Sequence, residues 1–207
     1  MTVPAAAAVI LAAGAGARFG GGKLGQILGD RPILRHVVDA AHAAGLEPIV
    51  VVVPPDGELD DIDLGPVVRV TNPHAEEGLS SSVRIGLRAL DADASVAVEA
   101  AVILPGDQPL VQVDTIRALV AAAAESPRTP FVVARHAGDG TPSPVLARRS
   151  IWRLADELAG DRGFGPLLGT HPELVRDVAV PGSNPDVDTP ADLDRLRATG
   201  AESPDVS

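Results

Sequence analysis

The sequence predicts a three-layer α/β fold in which a mostly parallel sheet is covered by helices on both faces. Short, continuously apolar runs such as AAAVILA (6–12) and PIVVVVP (48–54) have the character of strands buried on both sides. Longer amphipathic segments alternate with them, the pattern that produces parallel sheets through helical crossovers. With 207 residues, 45% of them hydrophobic, the chain can bury a core of its own, most simply as one domain.

Taken in order, the run 6–12 is the first strand and ends in a glycine-rich segment. PILRHVVDAAHAAG (32–45) opens on Pro32, repeats apolar residues at Ile33, Leu34, Val37, Val38 and Ala41, and closes on Gly45, the punctuation of a helix. His36 and His42 are expected on the surface of that helix. The run 48–54 is the second strand and VVRV (67–70) a third. A helix is expected from about Ser80, a strand at AAVILPGDQPL (100–110) running into a Gly-Asp turn, and a helix over 113–124. FVVARH and SPVLAR are later strands around the loop AGDGTP. A helix near 150–159, the segment GDRGFGPLL, a strand within LVRDVAV and a last helix from about Pro190 complete the pattern. One domain over 1–199 and a disordered tail over 200–207 follow, with no internal repeat or linker composition between them.

Composition excludes several classes of function. A formal charge of −11 repels nucleic-acid backbones and anionic membrane surfaces. Aromatic residues make up 2% of the chain and tyrosine is absent, so stacking of nucleobases on aromatic platforms is largely unavailable. Without cysteine there is no disulfide, no thiolate ligand and no Cys nucleophile, which fits a reducing, cytoplasmic setting. The apolar N-terminus has a signal-like core, but no Lys or Arg precedes Arg18, which favours a buried strand. No apolar run approaches the ~20 residues of a membrane span.

LAAGAGARFGGGK (11–23) carries five glycines and two cations directly after the first strand. Open α/β sheets bind ligands at that edge, and glycines let backbone N–H groups close on phosphate oxygens. A triphosphatase P-loop would need Gly at 17 and Ser or Thr at 24, where Ala17 and Leu24 stand. A dinucleotide fingerprint would need Gly at 19, where Phe19 stands, and a helix immediately after the loop. The remaining reading is a long loop that wraps a triphosphate while Arg18 and Lys23 neutralise its charge. The plain alternatives are a flexible connection and solvated loop charges.

Asp107 follows the strand AAVILP in a Gly-Asp-Gln-Pro turn, at the same sheet edge. A carboxylate there can hold Mg²⁺ against triphosphate oxygens, or merely cap the turn before Pro109. In DVDTP, Asp186 and Asp188 flank Val187, so in extended chain only one of them can point into the site; Asp188 or Thr189 could equally cap the last helix. Ser80, Ser81 and Ser82 stand at a helix start, where serine is common. The five histidines show no metal-ligand spacing, and no Ser-His-acid arrangement is legible.

LAAGAGARFGGGK resembles the Leu-Ala-Ala-Gly signature of the MobA-like nucleotidyltransferases, and especially the molybdenum cofactor cytidylyltransferases. The similarity continues in family order through GDRPILRHVVDAAHAAGL, EEGLSSSVRIGL, LPGDQPLV, GDRGFGPLL and DVDTPADLDRL, to about residue 198. The resemblance implies a Rossmann-like three-layer sandwich of the nucleotide-diphospho-sugar transferase type. It also implies Mg²⁺-dependent transfer from a nucleoside triphosphate to a phosphorylated small-molecule acceptor, with pyrophosphate released. It places Leu11, Ala12, Ala13, Gly14, Gly16, Gly78 and Ser80 at the nucleotide, Arg18, Lys23 and Asp107 in catalysis, and Asp107 and Asp188 at the metal, Asp186 being the alternative second ligand. Ala13 stands where guanylyl members tend to have a second glycine, which favours CTP. Molybdopterin is the acceptor implied, and a molybdoenzyme or delivery protein a possible partner.

Three departures stand against the family pattern. Gly25 and Gln26 replace apolar residues after Lys23, GDGTPSPVL lacks the family's His or Asn, and Phe19 stands where Met is commoner. The first two bear on the acceptor rather than on the triphosphate machinery. An NAD(P)H-dependent oxidoreductase using the same loop, and a non-catalytic nucleotide- or cofactor-binding module, are the readings from other classes.

Overall fold

The computed structural model describes residues 5–14, 16, 18–92, 97–137 and 142–199; the expected tail over 200–207 lies outside them. Strand β1, Ala6–Leu11, is buried along its whole length. Side-chain alternation divides it between two cores, Ala6, Ala8 and Ile10 facing one and Ala7, Val9 and Leu11 the other. That division is why the sequence shows a continuous apolar run there instead of an alternating one.

Strands β2 (Ile27–Leu28) and β3 (Arg31–Pro32) form a small antiparallel ribbon. The others are β4 (Ile49–Val53), β5 (Val68–Thr71), β6 (Ala100–Pro105), β7 (Phe131–His136), β8 (Val145–Arg148) and β9 (Val175–Val180). Together with β1 they make one seven-stranded sheet in the order β5-β4-β1-β6-β8-β7-β9. Only β8 runs antiparallel to its neighbours; the remaining pairs are parallel, as predicted. β5 is an edge strand, with Val68 half exposed.

The helices are α1 (Ile33–Ala43), α2 (Leu79–Ala92), α3 (Val113–Glu125), α4 (Gly165–Thr170) and α5 (Pro190–Ala198). Val37 of α1, Ile116 of α3 and Leu193 of α5 pack on one face of the sheet, and Val83 and Leu87 of α2 on the other with Trp152 and Phe164. α2 lies so close to the sheet that a Cβ on Gly86 would stand 2.3 Å from Val9 Cγ1. No helix among the described residues is long and apolar enough to cross a membrane.

Two expectations need correction. His36 is not on the helix surface: it lies on the Ile33/Val37/Ala40 face of α1, is buried, and its Nε2 is 2.8 Å from Leu28 O, which ties α1 to the β2 ribbon. His42 is half-buried. The helix expected near 150–159 is a 3₁₀ helix, Arg149–Glu157, whose buried residues Trp152 and Ala155 stand three apart. A three-residue turn stacks them on one face, and Trp152 Nε1 donates to Ala147 O at 3.0 Å.

Candidate active site

The chain after β1 leaves the sheet at its C-terminal edge. Phe19 N and Gly20 N both donate to Gly16 O, so the loop turns tightly there, and Gly22 in the left-handed region feeds a single 3₁₀ turn, Lys23–Gly25. Leu24 is buried and anchors that turn. Lys23 is thereby held on a fixed backbone with its side chain only 11% exposed, whereas Arg18 is 80% exposed. α1 begins only at Ile33, so the loop does not run directly into a helix N-terminus as a dinucleotide site requires.

Asp107 is delivered by the turn after β6. Gly106 N donates to Leu11 O at 2.9 Å, which fastens this turn to the end of β1. Val187 N donates to Asp107 O at 2.9 Å, and the Val187 side chain is fully buried, which fastens the Asp186–Asp188 segment to the same turn. The helix cap is Thr189, in a reciprocal capping box with Asp192. Asp188 is therefore not used as a cap, and its carboxylate faces the loop.

These segments bring four charges together. Lys23 Nζ is 2.7 Å from Asp107 Oδ2 and 3.6 Å from Asp188 Oδ1, and Arg18 Nη1 is 3.2 Å from Asp188 Oδ2. The two cations expected to await phosphate are thus paired with the two carboxylates expected to await metal. The exposed Arg18 pair is worth little, while the half-buried Lys23 pair is the stronger link. Asp186 points the other way, as extended chain dictates, and accepts from Gln108 Nε2 at 2.6 Å. Burial pushes its carboxyl above the ordinary range, helped by the charges of Asp107 and Asp188 and opposed by the Gln108 hydrogen bond.

A cleft of about 580 Å³ opens over this cluster. Of the residues singled out in the sequence, Leu11, Ala13, Gly14, Gly16 and Gly78 line it, with Arg18, Lys23, Asp107 and Asp188. Ala12 does not; it packs into the opposite core. Ser80 does not either: it is buried, and Ser82 lines the cleft instead. Asn72 Nδ2 donates to both Ser81 Oγ and Ser82 Oγ, a contact that no local pattern announces. Glu76 and Asp161 also line the cleft.

Among the described residues, no three His, Cys, Asp or Glu side chains converge on a metal position. Asp107 and Asp188 nonetheless fit a hard divalent cation, which takes its remaining oxygens from water and phosphate, provided Lys23 moves off them.

The MobA-like NTP transferase domain matches residues 8–175 of the chain. A bifunctional enzyme IspD/IspF of Rhodospirillum rubrum is 33% identical over 80% of this chain and 44% of its own length. A phosphoenolpyruvate guanylyltransferase of Rhodococcus erythropolis is 34% identical over 67% and 59%. The purine catabolism protein PucB of Bacillus subtilis is 34% identical over 59% and 58%, so the chain spans about half the length of the curated relatives it matches. Among solved structures, Rv0371c of Mycobacterium tuberculosis superposes with a TM-score of 0.78 at 29% identity, over 96% of this chain and all of that one. A manganese complex of Rv0371c superposes with a TM-score of 0.77 at 27% identity, over 94% and 98%. CMP:2-keto-3-deoxy-manno-octonic acid synthetase shares the fold, with a TM-score of 0.76 at 16% identity over 95% and 98%. With the sheet order, the glycine loop and the Lys23–Asp107 edge in place, the match over residues 8–175 makes the chain a member of the MobA-like NTP transferase family.

Proposed function

We propose that residues 1–199 form one nucleotidyltransferase domain that moves a nucleotidyl group from a nucleoside triphosphate, CTP in preference, to the phosphate of a small-molecule acceptor, with molybdopterin as the acceptor the sequence resemblance implies. The observation that carries the reading is the meeting of the glycine loop, Lys23, Asp107 and Asp188 in one cleft at the ligand-binding edge of the sheet.

An oxygen of the acceptor phosphate bonds to the α-phosphorus, the bond to the bridging oxygen of the β-phosphate breaks, and pyrophosphate leaves with the electron pair. No protein nucleophile is needed, so catalysis is positioning and charge neutralisation. The loop backbone at Leu11, Ala13, Gly14 and Gly16 cradles the triphosphate, and Lys23 and Arg18 exchange their carboxylate partners for its β- and γ-oxygens. Asp107 and Asp188, released by that exchange, are the residues that would hold a divalent cation, Mg²⁺ in the cell. When bound, the cation would lower the repulsion between acceptor and donor phosphates and stabilise the departing charge. The manganese complex of the Mycobacterium relative supports a divalent metal in this role.

Ala13 supports the choice of base. It lines the cleft, and its methyl narrows the wall where a glycine would leave room for a purine. The guanylyltransferase among the relatives makes GTP the comparison that matters. Cytoplasmic action, and delivery of the product to an enzyme that uses the nucleotide-bearing cofactor, complete the reading.

The test is thermal unfolding with CTP, GTP, ATP or NADPH, each with Mg²⁺ or with EDTA. A ligand at 100 times its Kd adds about 2.7 kcal/mol to stability. A Mg²⁺-dependent shift that is largest with CTP is the expected result. A shift with NADPH alone, unaffected by EDTA, overturns the transferase reading.

A further inference from the structure

A second cavity, of about 280 Å³, adjoins the first cleft and shares Leu11, Leu79, Asp107 and Asp161 with it. Its apolar wall is Val83, Ile103, Val145, Phe164 and Leu168. The Phe164 ring is fixed edge-on to Phe131, with centroids 5.0 Å apart. The polar groups of the cavity are largely engaged with one another. Gln108 Oε1 accepts from Ser143 Oγ at 2.6 Å and from Asn184 Nδ2 at 2.8 Å, while its Nε2 donates to Asp186.

Arg162 is the one cation among the described residues lining this cavity. Unlike those of Lys23 and Arg18, its side chain forms no hydrogen bond or ion pair with another described residue. It sits next to Asp161, which borders both cavities, so its guanidinium is carried by the segment at their junction. That segment is held in place from the loop before α2: Gly78 approaches it so closely that a Cβ there would stand 2.7 Å from Gly160 C.

The geometry points to the second cavity as the acceptor's site and to Arg162 as the partner of the acceptor's phosphate, for a phosphate monoester whose compact body presents an apolar ring face to Phe164, Val83 and Val145. This rests on the nucleotidyl transfer proposed above. Asp107 at the shared boundary puts such a phosphate beside the donor, where in-line attack requires it. A cavity just below the usual range for drug-sized ligand sites suits one ring system and not an extended chain. A polyol phosphate is disfavoured, because its hydroxyls would lose water and meet an apolar wall beside Gln108, Ser143 and Asp186, whose side chains are already hydrogen-bonded.

The probes are phenyl phosphate and ribose 5-phosphate, titrated by calorimetry into the full chain. Each is titrated with and without Mg²⁺ and a CTP analogue carrying a methylene bridge between the α- and β-phosphorus. Phenyl phosphate is expected to bind about tenfold more tightly than ribose 5-phosphate, about the weight of burying one ring face, the phosphate contact being common to both. Arg162→Gln is expected to weaken phenyl phosphate about tenfold and Arg162→Lys less, both leaving the affinity for the CTP analogue unchanged. Equal binding of phenyl phosphate by wild type and Arg162→Gln, or tighter binding of ribose 5-phosphate, overturns the assignment. If the CTP analogue fails to bind while phenyl phosphate still depends on Arg162, the cavity stands and the transferase reading falls. If the analogue binds and Arg162→Gln changes nothing, the reverse holds.

Discussion

Lys23 Nζ sits 2.7 Å from Asp107 Oδ2 and within 3.6 Å of Asp188 Oδ1, so without ligand the lysine occupies the space between the two carboxylates. On the proposed function, nucleotide binding would then be an exchange of partners, in which the triphosphate would draw Lys23 away and leave the carboxylates free for a cation. Lys23→Met should weaken CTP binding by about ten- to a hundredfold, the weight of a charged hydrogen bond. The same variant should bind Mn²⁺ more tightly than wild type when nucleotide is absent, because no built-in cation competes. Electron paramagnetic resonance of free Mn²⁺ measures the second effect directly; equal Mn²⁺ binding by both proteins would contradict the exchange.

Asp107 and Asp188 should be separable from Asp186 by kinetics. Asp107→Ala and Asp188→Ala are each expected to lower turnover by at least about a hundredfold, since each removes charge stabilisation from the reacting phosphates. Asp186→Asn should retain most activity, because its carboxylate faces Gln108 and not Lys23. Steady-state pyrophosphate release from CTP with molybdopterin as the acceptor decides this. Full activity in Asp107→Ala would remove the metal role from that residue.

The strands with continuous apolar runs were legible because burial on both faces leaves no polar position in the run. Lys23 and Asp107 were legible because a glycine loop and a Gly-Asp turn at strand ends are local features. The burial of His36 follows from its spacing, three residues after Ile33 on the helix's apolar face, and not from its polar residue type, which points to the surface. The β2 ribbon has two residues per strand, too few for any period. The Gln108–Ser143–Asn184 network joins segments that are distant in the chain, and only the closing of the sheet brings them together. The pairing of Lys23 with its carboxylates is likewise tertiary, and ran against the expectation that the cations stand ready for phosphate.

Gly78 is where the loop before α2 and the Asp161 segment interlock. Its φ is +92°, and a Cβ would stand 2.3 Å from Asp161 Oδ1 and 2.7 Å from Gly160 C. The carboxylate can swing aside, but the backbone cannot do so without moving the junction of the two cavities. Gly78→Ala is therefore expected to cost about 1–3 kcal/mol in urea unfolding and to weaken nucleotide binding as well. An unchanged unfolding midpoint would show that the segment yields freely.

Asp192 sets the pH response of the segment that carries Asp188. Its Oδ2 accepts from Asp188 N, Thr189 N and Thr189 Oγ1, and a further contact comes from Arg195. The Thr189 side-chain hydrogen bond, then the backbone hydrogen bonds and the Arg195 charge, hold its carboxyl below the ordinary value of 3.8. A carboxyl depressed in the folded state binds its proton more readily when unfolded, so its contribution to stability is complete above that ordinary value. The contribution disappears as pH falls through the lower folded value. Asp192→Asn should therefore melt below wild type at pH 7, with the gap closing progressively on acidification below about pH 4. CTP affinity should fall in the same variant at pH 7, because Asp188 loses its backbone anchor while keeping its carboxylate. Parallel melting curves of the two proteins from pH 7 down to about pH 3 test this; a gap that stays constant with pH would mean that the cap acts through shape alone, without its charge.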